Sequence, residues 1–237
     1  MEHGDLLPPG EDDVKDEAET AAAPAPDPVT PAHPTPTAAD IRAVFRSRRG
    51  KPTKVIGSRG DHDGNPGLVP PADLRDAAVL VPLVERPGGL TVLLTQRTAH
   101  LAAHAGQISF PGGGVEPDDT GPEDTALRET EEEVGLPRER VEVVGRLDTY
   151  VTRTGFRVTP VVALVRPPFT LAPDPYEVAE VFEVPLSFIL SPQGRRRESR
   201  EWKGALRHFW VFPYQDRYIW GATAGMLVNL CDVLAEG

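Results

Sequence analysis

Arg128-Glu129-Thr130-Glu131-Glu132-Glu133-Val134-Gly135-Leu136 stands a short loop behind Phe110-Pro111-Gly112-Gly113. On a helix Glu129, Glu132 and Glu133 fall at i, i+3 and i+4 and project together as a cluster of negative charge. Like charges at this spacing weaken a helix by about 0.2–0.5 kcal/mol per pair, so the cluster is easiest to explain with a cation beside it. Side-chain oxygen ligands alone suit Mg²⁺ or Mn²⁺ rather than zinc, which prefers His and Cys. The alternative is a solvated acidic helix, as most charge runs are. The glycine-rich loop ahead of the run and the stop signal behind it count against that alternative.

The helix has its own punctuation. Thr120-Gly121-Pro122-Glu123 has the form of a capping box, Pro122 suits a first turn, and Gly135 with Pro137 predicts the end. Leu127, Thr130 and Val134 lie roughly opposite the glutamates, leaving an apolar side to pack on a sheet.

With these residues in place, the chain resembles the Nudix hydrolase family, whose box reads G-x5-E-x7-R-E-U-x-E-E-x-G-U, with U a bulky aliphatic residue. Gly113, Arg128, Glu129, Glu132, Glu133, Gly135 and Leu136 match it. Asp119 stands where the early Glu belongs, one extra residue precedes Arg128, and Thr130 replaces the aliphatic. The lengthened loop and the small residue after the Arg-Glu pair look like the coenzyme A pyrophosphatase branch. That branch's upstream signature, roughly LLTxR-S-x3-R-x3-G-x3-FPGG, is in register from Leu93 through Arg97, Thr98 and Gly106 to Gly113, with Ala102 in place of its second Arg. Ala cannot replace the forked, charge-assisted contacts of Arg to phosphate. Later segments, Gly155 to Val162, Tyr176 to Leu186 and Trp220 to Gly225, also resemble the branch.

The resemblance implies an α/β fold, a Nudix-type α/β/α sandwich around a mixed β-sheet. It implies hydrolysis of the pyrophosphate of coenzyme A or its thioesters to 3′,5′-ADP and a 4′-phosphopantetheine compound, with Mg²⁺ or Mn²⁺. It makes Glu129 and Glu133 metal ligands and Glu132 a third ligand or the proton acceptor, with the Gly112 and Gly113 backbone close to the metal. Arg128 is expected to hold a glutamate in place through an ion pair. Glu177 is the external candidate for general base, against a reading as a solvated loop acid. Arg97, His104 and Gln107, inside the upstream signature, are the candidate substrate contacts. Ala102 keeps a second reading open, a Nudix hydrolase of other nucleoside diphosphate derivatives such as ADP-ribose. A catalytically silent binding module is a third, which the intact glutamate set opposes.

Charge separates the chain into parts. Residues 1–40 carry eight prolines and ten acids against Lys15 alone, so they hold about −9 of the net −11. With few large apolar residues before Ile41, this acidic Pro/Ala-rich tail is expected to be disordered. Residues 41–74 read as a short helix, Ala39 to Arg48, and a linker, and 75–237 as the Nudix domain. The near-neutral body lacks a nucleic-acid footprint. No apolar run approaches a membrane span, no secretory or transit peptide is recognisable, and the single Cys231 agrees with a reducing cytoplasm. Oligomeric state is not legible.

Elsewhere, Ala77 to Val84 and Leu90 to Gln96 predict a hairpin across Pro87-Gly88-Gly89. Val141 to Gly145, Val158 to Val165 and Leu206 to Pro213 add strands, Pro185 to Leu190 a short helix and Thr223 to Leu234 a closing helix. Arg195 to Arg200 reads as a solvated loop, and Trp202, Trp210 and Trp220 as packing residues.

Overall fold

The computed structural model describes residues 35–48, 59–65, 67–100, 106–202 and 204–236. His104, Ala102 and the proline-rich acidic residues up to 34 lie outside them. In chain order the elements are α1 (Ala38–Arg48), β1 (Arg59–Gly60), β2 (Arg75–Arg86), β3 (Gly89–Arg97), β4 (Ile108–Ser109), β5 (Gly112–Gly114), α2 (Pro122–Val134), β6 (Val141–Arg146), β7 (Tyr150–Val151) and β8 (Phe156–Val165). There follow β9 (Val178–Pro185), α3 (Leu186–Leu190), β10 (Arg196–Trp202), β11 (Ala205–Tyr214), β12 (Arg217–Trp220) and α4 (Gly221–Ala235).

The centre of the main sheet is β2 lying parallel to β8 in unbroken register from Arg75↔Phe156 to Val84↔Val165. Burial on both faces explains why β2 reads as a nearly continuous apolar run. Its alternate residues serve different layers. Ala78, Leu80 and Val84 join Val161, Ala163 and Val165 under Ala126 and Val134 of α2. Ala77, Val81 and Leu83 join Val158, Val162 and Leu164 on the other side, with Ile41 and Phe45 of α1 and Leu227 and Leu230 of α4. This is the expected α/β/α sandwich around a mixed sheet. The first helix, α1, belongs to its core.

Pro82 would be an obstacle inside most central strands. Here β2 pairs on its other edge first with β5, through Val79, and then with β3, from Leu83. The Leu80 N–H points to that edge, donating to the Pro111 carbonyl at 2.9 Å. Two residues on, the missing N–H of Pro82 falls in the gap between the two partners, where no ladder bond is lost.

Two expectations need correction. Arg195 to Arg200 does not form a loop: Arg196–Trp202 is β10, the edge of an antiparallel sheet β10-β11-β12. Its alternating charged residues have no apolar face to announce a strand, and it is the partner β11 that packs inward through Phe212. Trp220 is 43% exposed and stacks edge-on against Phe209, whereas Trp210 packs against the core as expected. Cys231 is buried in α4 and its Sγ lies 3.3 Å from the Ile189 carbonyl.

Candidate active site

The site begins with how α2 is seated. Pro122 occupies the first turn, Glu123 and Asp124 complement the positive end of the helix, and Gly135 closes it in the left-handed conformation at φ 66°. The cap itself differs from the expected box. Gly121 is the N-cap and no side chain caps the helix. Thr120 instead donates its N–H to Asp124 Oδ2 at 3.2 Å, and Glu123 pairs with Arg146. A second acid beside the box-like Glu123 competes for the same donor, which the four-residue pattern does not convey. On the sheet side Thr130, standing where the box has an aliphatic, is buried and donates its hydroxyl to the Ala126 carbonyl at 2.6 Å. That back-bond lets a polar residue lie in an apolar layer.

In front of α2, Gly112 and Gly113 pair with Val79 and Ala78. A Cβ on Gly112 would lie 2.4 Å from the Ala78 carbonyl oxygen, and one on Gly113 would lie 2.5 Å from the Glu129 carboxyl carbon. Gly112 is required because backbone occupies the space of a side chain, and a side chain at Gly113 would displace the Glu129 carboxylate from its place.

The three glutamates are treated very differently by the fold. Glu133 is buried, with Oε2 accepting the Gly112 N–H at 3.1 Å and Oε1 lying 3.7 Å from Arg97. Burial pushes its carboxyl up to about 7, the charges of Glu177 and Glu129 add to the rise, and Gly112 and Arg97 only partly oppose it. Glu129 is likewise raised, by burial first, while its hydrogen bond from Arg128 works the other way. Glu132 is turned outward, its side chain 61% exposed, with Oε2 3.2 Å from Arg128. Among the described residues no three His, Cys, Asp or Glu side chains close on one point as a metal-binding group. At 100° per residue, Glu132 and Glu133 sit on opposite flanks of Glu129, so only Glu133 is driven against the sheet.

Arg128 is the hub of this face. It grips Asp119 with two hydrogen bonds of 2.9 and 3.0 Å, reaches Glu129 at 2.9 Å and Glu132 at 3.2 Å, and donates to the Gly114 carbonyl at 3.1 Å. Asp119 also accepts from the Thr125 hydroxyl and the Glu116 N–H, and the guanidinium holds its carboxyl well below the usual carboxylate range. Sequence reasoning noted Asp119 only as a departure from the box. Its spacing to Arg128, with both ends of a bidentate pair present, was the available signal.

Arg97 ends β3, beside a β-bulge in the pairing with β9 that falls between Gln96 and Arg97. Such bulges re-aim side chains. Its guanidinium stands between Glu133, at 3.7 Å, and Glu177, at 3.9 Å. Gln107 meets Arg97 through the backbone, the Arg97 N–H donating to the Gln107 carbonyl at 2.9 Å. The upstream stretch, the box and Glu177, far apart in sequence, thus come together at one point.

The donor set fits a hard divalent cation. Glu129 and Glu133 are oxygen donors that face a side-chain-free glycine strand, and burial, which raises both carboxyls, makes a cation beside them favourable.

These features define a hydrolase of the Nudix class. The NUDIX domain profile matches residues 74–206. The uncharacterized Nudix hydrolase NudL of Photorhabdus laumondii is 43% identical over 156 residues, 66% of this chain and 83% of that protein. The NudL of Escherichia coli O7:K1 is 43% identical over 157 residues, 66% of this chain and 81% of its own. Among solved structures, a Nudix hydrolase from M. smegmatis, RenU, overlays with a TM-score of 0.48 at 23% identity, covering 68% of this chain and 86% of RenU. The chain belongs to the Nudix family and is a Nudix hydrolase. Nudix hydrolases generally use divalent cations and act on small nucleoside diphosphate compounds. No helix among the described residues is long and apolar enough to cross a membrane.

Proposed function

We propose that this enzyme hydrolyses the pyrophosphate of coenzyme A or its thioesters, releasing 3′,5′-ADP and a 4′-phosphopantetheine compound. The observation that carries the reading is the meeting of Arg97, from the upstream signature, with Glu133 of the box and Glu177 of the later segment within 4 Å. Those three stretches are the ones that resemble the coenzyme A pyrophosphatase branch.

In this reading Glu129 and Glu133, with the Gly113 backbone, hold Mg²⁺ or Mn²⁺. When bound, the cation supplies neutralisation of the diphosphate and acidification of water. The chain's own residues do the positioning. Arg128 fixes the Glu129 rotamer and takes its own orientation from Asp119. Arg97 meets the diphosphate oxygens with a forked cation, and His104 and Gln107 extend the contact surface. Water attacks one phosphorus, the anhydride P–O bond breaks, and the leaving phosphate departs with the bridging oxygen. Of the two candidates for the water proton, Glu132 is committed to Arg128, while Glu177 faces Arg97 across from Glu133. Glu177 is therefore assigned the proton and Glu132 an accessory electrostatic role.

Chromatography of products from coenzyme A, acetyl-coenzyme A and ADP-ribose at equal metal concentration tests the assignment. Release of 3′,5′-ADP from coenzyme A faster than cleavage of ADP-ribose is expected. ADP-ribose cleaved faster than both coenzyme A compounds would promote the second reading, which Ala102 favours.

A further inference from the structure

Tyr176 is 67% exposed and belongs to neither core cluster, yet its backbone is tightly fixed. Its N–H donates to Asp174 Oδ1 at 2.8 Å and its carbonyl accepts the Thr98 hydroxyl at 2.8 Å. The carbonyl of the next residue, Glu177, accepts the Thr98 N–H at 3.0 Å, and Thr98 itself is buried. The Tyr176 ring rests against His100, with centroids 4.9 Å apart and planes at 63°. An exposed aromatic side chain on a rigid turn contributes nothing to the core, so packing does not explain its position.

Its neighbours suggest what does. The stretches that carry the aromatic pair, 97–100 and 174–177, also carry Arg97 and Glu177, the charged pair that faces Glu133. Tyr176 directly precedes Glu177 and His100 lies three residues beyond Arg97, so a ligand whose diphosphate lies at Arg97 finds this ring pair on the same two stretches. We propose that Tyr176 and His100 form a stacking subsite for the base of the nucleotide half of the substrate. Stacking needs a π-face held in place, and this edge-to-face pair supplies one beside the phosphate-binding cation. The inference rests on the reading of the site as one that cleaves nucleoside diphosphate derivatives, whichever of them is preferred.

The test uses the full chain and the variants Tyr176→Ala and Tyr176→Phe. Isothermal titration with 3′,5′-ADP and AMP reads binding directly. Kinetics compare the better of coenzyme A and ADP-ribose with a base-free diphosphate ester, pantetheine diphosphate carrying methyl in place of adenosine. Tyr176→Ala is expected to weaken nucleotide binding by roughly 5- to 100-fold, the size of one base–aromatic stack. The effect falls on KM rather than kcat and lowers the preference for base-bearing over base-free substrate by the same factor, while Tyr176→Phe retains most of it. Unchanged nucleotide affinity in Tyr176→Ala overturns the subsite, as does equal loss on both substrates or a Phe variant as impaired as Ala. If ADP-ribose is cleaved in place of coenzyme A and its KM still depends on Tyr176, the coenzyme A assignment fails and the subsite stands.

Discussion

Replacing Glu133 by Gln tests the electrostatics of the site apart from its catalysis. The carboxyl rises from its ordinary 4.5 to about 7 in the folded protein, chiefly through burial. At about 1.36 kcal/mol per pKa unit this corresponds to about 3 kcal/mol. Because the folded pKa is raised, the folded state keeps a proton that the unfolded chain gives up. The contribution of this group in the metal-free protein is thus most favourable below pH 4.5, declines as pH rises toward 7, and carries the full penalty at pH 8. Gln mimics the protonated acid and can still accept from Gly112, but its amide N–H groups need partners, a cost of about 1 kcal/mol. In chelator, the variant should gain on the order of 1–3 kcal/mol at pH 8 and little or nothing at pH 4.5. That is a rise of several degrees in Tm at roughly 2–4 °C per kcal/mol for a domain of this size. Turnover should fall by orders of magnitude at every pH. Calorimetry across this range decides the matter: a variant whose stability runs parallel to wild type, or lies below it at pH 8, refutes the burial argument. Near wild-type turnover at saturating Mg²⁺ refutes the ligand role.

Asp119→Asn removes the anchor of Arg128 and should cost about 10- to 100-fold in kcat or metal affinity with little change in substrate KM, read by metal titration of activity. Ala102→Arg should lower KM for coenzyme A while affecting ADP-ribose, which lacks the 3′-phosphate, much less; equal effects on both would show that the position does not read that phosphate. Deleting residues 1–34 should leave Tm and turnover nearly unchanged, because the segment offers few apolar anchors. Extending the deletion to residue 48 removes the buried Ile41 and Phe45 and should cost at least 2–5 kcal/mol, roughly that of one large core truncation, in urea unfolding.

Strands buried on both faces were legible because their centres are nearly continuous apolar runs, as in β2, β3 and β8, and the two-residue turn of Pro87 and Gly88 marks the β2–β3 hairpin. The arginine-rich β10 was not, since an edge strand in a small second sheet needs no apolar face. Glu129, Glu132 and Glu133 were legible as a group of charges and not as individuals. Spacing places them on one side of a helix, but burial depends on how that helix rolls against β2, a property of Ala126, Thr130 and Val134 packing on the sheet. The pairing of Arg97 with both Glu133 and Glu177 is tertiary and depends on the bulge after Gln96.

Arg128 changes why a cation belongs beside α2. Glu129 and Glu132 each lie within 3.2 Å of that guanidinium, so much of the repulsion along α2 is relieved inside the protein. Glu133 is not relieved in this way. Its nearest cation, Arg97, stands 3.7 Å away and is shared with Glu177, so neither carboxylate has it alone. The unmet demand for positive charge is therefore concentrated at the buried Glu133, with a lesser share at the half-buried Glu129. A divalent cation placed there offsets a desolvation cost that the fold has already incurred, and the same charge is what an approaching diphosphate needs. Cation affinity should then respond far more to Glu133→Gln than to Glu132→Gln, and equal losses in a Mn²⁺ titration would return the site to a shared three-glutamate face.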